Sequence, residues 1–123
     1  PTPKPLEPFP IFSLDFVGCS MSSLFDMELR FRLTMCETDE PSRYRVLGKI
    51  QIEAPGVGRN PGKMRNYLSK SVPTGKVSEI AFNVPRKRFD IDMFQLHVRY
   101  LLFDTKTGYR SQYHTLSTIC LIQ

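Results

Sequence analysis

The chain has 123 residues, 41% of them hydrophobic with nine Phe, and a formal net charge of +5. That length suits one domain able to bury a core of its own. No run of about 18 apolar residues is present to make a membrane-spanning helix, and the basic balance favours an acidic partner: nucleic acid, an anionic membrane face or an acidic protein.

Residues 1–10 read Pro-Thr-Pro-Lys-Pro-Leu-Glu-Pro-Phe-Pro, five prolines in ten. Half of this segment lacks an amide proton, so it cannot join a helix or a central strand. An extended, polyproline-like arm over 1–12 is expected, followed by one β-rich domain over 13–123. The arm does not have the make-up of a signal peptide. As the first residue is Pro1 rather than Met, residues upstream are expected. The arm reads either as a solvated leader or as a stiff segment docking on a neighbouring copy. Its anchors in the second case are Pro5, Leu6, Phe9, Pro10 and Phe12, and a stiff arm loses little entropy on docking.

Ile11 to Gly18 is a short apolar run of β character, and Cys19 to Ser23 reads as a small polar break. Phe25, Met27, Leu29, Phe31, Leu33 and Met35 then alternate with Asp26, Glu28, Arg30, Arg32 and Thr34. A period of two predicts a half-buried strand with its apolar row on the core. After the polar turn 37–42, Tyr44, Val46, Gly48, Ile50 and Ile52 alternate with Arg45, Lys49 and Gln51. A second strand is expected, forming a hairpin with the first.

Residues 54–75 hold Pro55-Gly56, Gly58, Pro61-Gly62 and Pro73-Thr-Gly75, which read as an irregular centre with a turn or two of helix in 63–71. Val77 to Val84 is a strand, stopped by Pro85-Arg-Lys-Arg88, and 89–93 suits a turn of helix. Phe94, Leu96, Val98, Tyr100 and Leu102 alternate with Gln95, His97 and Arg99 as another strand. Asp104 to Gly108 has hairpin chemistry, with Gly108 suited to positive φ, and 109–122 returns as one bent strand or two. The class is mostly β, or α+β with minor helix: one antiparallel β-sandwich or sheet domain with a Pro-rich arm.

Catalytic and metal chemistry find little support. Cys19, Cys36 and Cys120 are an odd, widely spaced set, read as small buried residues of a reducing compartment. Gly56-Val-Gly58-Arg-Asn-Pro-Gly62 lacks the Lys-Ser/Thr of a phosphate loop. Asp90 and Asp92 read as a solvated edge or caps, His97 as solvent-facing, and His114 as an interface residue as readily as a site. No enzyme activity, metal or cofactor is expected.

Charge is segregated. From Arg59 to Arg88 there are eight basic residues against one acidic: Arg59, Lys63, Arg65, Lys70, Lys76, Arg86, Lys87 and Arg88 against Glu79. Met64, Tyr67 and Leu68 lie within this run. A basic loop with apolar residues suits an anionic bilayer, the cations meeting headgroups while the apolar tip enters the interface. An RNA site would carry more aromatics beside the basic residues.

The stretch Asn83-Val-Pro85-Arg-Lys-Arg-Phe89-Asp-Ile91, followed by the alternating strand Phe94 to Phe103 and Asp104, resembles a segment of rhabdovirus matrix proteins. The strand from Phe25 to Met35 is similar in character to that family's first core strand. The family's late-domain motifs are absent. The resemblance implies a non-enzymatic structural protein that self-associates, binds the inner face of a membrane and contacts nucleocapsid protein or RNA, in the cytoplasm and the virion. Two other readings stay open: a cellular β-sandwich interaction domain, immunoglobulin-like or C2-like, and a viral RNA-binding or movement-type β-barrel.

Overall fold

The computed structural model describes residues 9–36, 38–53, 63–85 and 93–122. They form seven strands: β1 (Phe12–Met21), β2 (Asp26–Met35), β3 (Tyr44–Glu53), β4 (Lys63–Ser71), β5 (Val77–Pro85), β6 (Met93–Asp104) and β7 (His114–Leu121). A 3-10 turn, Pro41–Arg43, precedes β3. All pairings within the two sheets are antiparallel, in a three-stranded sheet ordered β1-β2-β5 and a four-stranded sheet ordered β4-β3-β6-β7. The sheets pack as a sandwich, with β1 meeting β7 along one side and β5 meeting β4 along the other.

The period-two rows explain the packing. Met27, Leu29, Phe31, Leu33 and Met35 of β2 face Val46, Ile50 and Ile52 of β3 and Phe94, Leu96, Val98 and Leu102 of β6 across one core. Phe25 does not join them: it is 75% exposed, and its neighbour Leu24 is 88% exposed. The cause is local. Ser23 Oγ accepts from the Phe25 and Asp26 amides at 3.1 and 3.0 Å, and Ser22 Oγ donates to the Asp26 carbonyl at 3.1 Å. Those hydroxyls fold the chain into a tight tip before the ladder begins.

Other expectations are corrected. The chain from Cys19 to Met21 continues β1 rather than breaking it. β3 does not form a hairpin with β2 but crosses into the other sheet to pair with β4 and β6. The helical turn expected in 63–71 is the strand β4, an edge strand paired with the strand before it, β3. Of the turn expected at 89–93, only Met93 lies within the described residues, and it opens β6. Gly108 has the positive φ expected, +78°.

Cys19 and Cys120 are not free thiols. A disulfide joins them, linking β1 to β7 where the two sheets close, and only Cys36 is unpaired. Sequence separation hid the pairing, since only closure of the sandwich brings the ends of the domain together. Closing a loop of this size stabilises a fold by roughly 2–5 kcal/mol.

Two further cross-links matter. Arg43 donates to both carboxylate oxygens of Asp104, at 2.8 and 2.6 Å, while the Lys106 and Thr107 amides also donate to Asp104. The Arg43 guanidinium holds the Asp104 carboxyl well below its ordinary range. This ties the start of β3 to the β6–β7 turn. Four residues back along β6, the Leu14 amide donates to Tyr100 Oη at 3.3 Å, bridging the sheets, and burial raises the Tyr100 phenol.

Phe9 and Phe12, two of the arm's anchors, are engaged within their own chain. Phe12 is the first residue of β1, buried against Tyr100 and His114 with ring centroids 6.1 and 4.7 Å away. Phe9 packs on the same core, 6.2 Å from the Tyr44 ring. Phe12 is therefore a core residue rather than a docking anchor, and Phe9 is largely spent in the same way. Pro10 is half-buried; Pro5 and Leu6 lie outside the described residues.

Candidate binding face

The outer face of the four-stranded sheet gathers basic side chains, Lys49, Lys63, Arg65 and Arg99, around one carboxylate, Glu53. Side chains directly opposite on neighbouring strands share a face, so the register gives the layout. One row runs Tyr67–Lys49–Arg99–Thr115 across β4, β3, β6 and β7; the next runs Arg65–Gln51–His97–Ser117; the third runs Lys63–Glu53–Gln95–Ile119. Within these rows, Lys49, Glu53, Lys63, Arg65, His97 and Arg99 are among the residues that line a shallow depression of about 580 Å³.

Glu53 supplies the carboxylate there, 4.0 Å from both Lys63 Nζ and His97 Nε2. Lys49 and Arg99 have no carboxylate partner among the described residues. Each lies instead against an aromatic ring: Lys49 Nζ is 5.9 Å from the Tyr67 centroid, and the Arg99 guanidinium is 3.9 Å from the Tyr113 centroid. His97 Nδ1 and Ser117 Oγ are 2.9 Å apart and share a hydrogen bond. Farther along, Arg45 donates to Ser71 Oγ and Ser69 Oγ at 2.8 and 3.0 Å.

The sequence-predicted site residues divide by strand parity. Lys63, Arg65 and Tyr67 alternate outward onto this face. Leu68 is 2% exposed, and Met64 is half-buried against the core, so neither can serve as the apolar tip expected of them. Lys70 turns toward the sandwich edge, its Nζ 5.8 Å from the Phe82 ring. Lys76 is exposed at the opposite end of the sandwich, just before β5 begins. Arg59, Arg86, Lys87 and Arg88 lie outside the described residues, as do Asp90 and Asp92.

Sequence reasoning missed Lys49, Arg99 and Tyr113. The strands bearing Lys49 and Arg99 were each legible, but their polar rows read as ordinary solvated faces. Only the pairing of β3 with β6 sets the two cations opposite each other. Among the described residues, no group of three or more His, Cys, Asp or Glu is placed to hold a metal.

No family model matches the sequence, and no curated protein matches it. Among solved structures, the chain is similar to β-glucosidase 3B from Thermotoga neapolitana, in its glucose and glycerol complexes. Identity is 10% and 11%, with a TM-score of 0.41 in both. The likeness covers 90% of this chain, which spans 16% of that one.

Proposed function

We propose that this chain is a non-enzymatic interaction module of the immunoglobulin-like kind, which binds an anionic partner on the outer face of its four-stranded sheet. The strand order supports the class: the first, second and fifth strands form one sheet, and the third, sixth and seventh lie together in the other, as in immunoglobulin-like sandwiches. One observation carries the binding role. Lys49 and Arg99 stand directly opposite on paired strands with no carboxylate between them, an arrangement that destabilises a sheet. An anion seated over the pair removes that repulsion. The disulfide supports an oxidising compartment as the place of action.

The test is charge reversal. Lys49→Glu with Arg99→Glu should abolish salt-sensitive binding to anionic probes such as poly-glutamate or dextran sulfate while leaving the circular dichroism spectrum unchanged. Binding that survives in the folded double variant refutes the assignment.

A second reading, the membrane-lining structural protein suggested by the matrix-protein resemblance, is favoured by the β1–β2 tip. Leu24 and Phe25 project there from a turn fixed by Ser22 and Ser23, and exposed apolar residues of this kind can enter a bilayer interface. Under this reading, Leu24→Ser with Phe25→Ser lowers co-sedimentation with phosphatidylserine vesicles. If the unaltered chain fails to sediment with them, the reading falls.

A further inference from the structure

We propose that the anion held on this face is a linear sulfated polysaccharide. This rests on the anion-binding reading above and gives the ligand a chemical class.

The cations form a track rather than a point. Arg99 on β6 lies opposite Lys49 on β3, Arg65 is one diagonal step away on β4, and Lys63 is the next outward residue of that strand. Crossing three strands and two along-strand steps, the track is about 10 Å across the sheet and about 14 Å along it. It is shallow and open, so it suits an extended chain bearing repeated charges better than a single small anion. Between and beside the cations stand Gln51, His97, Thr115 and Ser117. These hydrogen-bonding side chains match the hydroxyl and ring oxygens of a sugar backbone, while the cations match its sulfates.

The alternatives fit less well. A single-stranded nucleic acid stacks its bases on open aromatic faces. Here the Arg99 guanidinium lies over the Tyr113 ring and Lys49 Nζ over the Tyr67 ring, so a base would meet at most the other face of each. A bilayer asks for projecting aliphatic side chains among the cations. Leu68 and Met64, the apolar residues of β4, face inward, and the exposed aliphatic side chains of this face, Ile119, Leu121 and Met93, lie on β6 and β7 to one side of Lys49, Arg65 and Arg99 rather than among them. The disulfide, buried at both cysteines, supports an oxidising compartment. The long polyanions of extracellular space are predominantly sulfated glycans.

The test compares anionic ligands of different chemistry on the intact chain. The probes are a fully sulfated heparin-type oligosaccharide, its desulfated counterpart, poly-glutamate, a single-stranded oligodeoxynucleotide and phosphatidylserine vesicles, with affinity measured by calorimetry across a salt series. The proposal predicts tightest binding to the sulfated oligosaccharide and none to the desulfated chain. Lys49→Gln and Arg99→Gln should each lower the slope of log affinity against log salt by about one. Arg32→Gln, on the other sheet, should leave the slope unchanged. If a glutaminyl variant does not fold, protection of Lys49 from acetylation by the bound oligosaccharide in the unaltered chain replaces it; an unprotected Lys49 then refutes the proposal. Poly-glutamate, oligonucleotide or vesicles binding at least as tightly, with the same residues required, would overturn the polysaccharide and leave the anion-binding face standing. Indifference of every probe to Lys49 and Arg99 would overturn both.

Discussion

The two outer faces of the sandwich handle charge in opposite ways. On the three-stranded sheet, Arg32 of β2 lies opposite Asp15 of β1 on one side and Glu79 of β5 on the other. Arg30 on the same strand is 3.7 Å from Glu28 and donates to Ser20 Oγ at 2.8 Å. Signs alternate across the strands, as a sheet selected for its own stability would arrange them. On the four-stranded sheet, Lys49 opposes Arg99, Arg65 stands beside them, and the rings of Tyr67 and Tyr113 take the place of carboxylates. The two faces share one core, one chain and one solvent. The difference between them is therefore a property of the surface, and the binding role proposed for the four-stranded face rests on it.

The strongest perturbations act on the frame both faces share. Phe31 is fully buried at the centre of β2 and meets Phe16 with ring centroids 5.5 Å apart. Phe31→Ala should cost about 3–5 kcal/mol, measured by denaturant unfolding, and should weaken both faces together. A variant with an unshifted midpoint would mean that the faces do not rest on this core.

Next is the clamp beside the binding face. Asp104→Asn should cost about 3 kcal/mol, because it weakens the charged hydrogen bonds that Arg43 makes at 2.8 and 2.6 Å to a buried carboxylate. Asp104 is held below its ordinary range by Arg43. Its contribution is therefore complete above the unfolded carboxyl value of about 4 and is lost as pH falls through the lower folded value. Acid titration of stability should show this loss in the unaltered chain and a flatter profile in Asp104→Asn. Identical profiles would place the acid sensitivity elsewhere.

The smallest effect is the most discriminating, because its sign differs between the faces. Lys49→Glu replaces a like pair with an opposite pair and should raise stability by about 0.2–1 kcal/mol. Arg32→Glu does the reverse and should lower it by a similar amount. Thermal unfolding at low salt checks both, and raising the salt should shrink both. If Lys49→Glu destabilises as Arg32→Glu does, the four-stranded face carries no built-in repulsion.

Much of this frame was legible in the sequence, because half-buried strands print their parity onto the chain. β2, β3, β5 and β6 each carry an apolar row with a polar row between. The sandwich followed from those rows, from the breakers between them and from the lack of a helical period. Legibility failed where the decisive interaction was local chemistry or distant pairing. Ser22 and Ser23 pulled Phe25 out of its row through hydroxyl bonds that alternation does not register. β4 is an edge strand whose inward positions include Asn66 and Lys70, so its apolar row is too thin to see. The disulfide depended on β1 meeting β7. The binding face was half visible: Lys63, Arg65 and Tyr67 sat in an acid-free run, whereas Lys49 and Arg99 belonged to separate strands and became a pair only through the β3–β6 ladder.

The most direct test of the central claim is an amide chemical-shift titration of the isotopically labelled chain with a sulfated oligosaccharide at low salt. The account predicts saturable shifts confined to the four-stranded outer face, centred on Lys49, Arg65, His97 and Arg99, with Asp15, Arg32 and Glu79 unmoved. Shifts centred on the three-stranded face, or none at any ligand concentration, would contradict it.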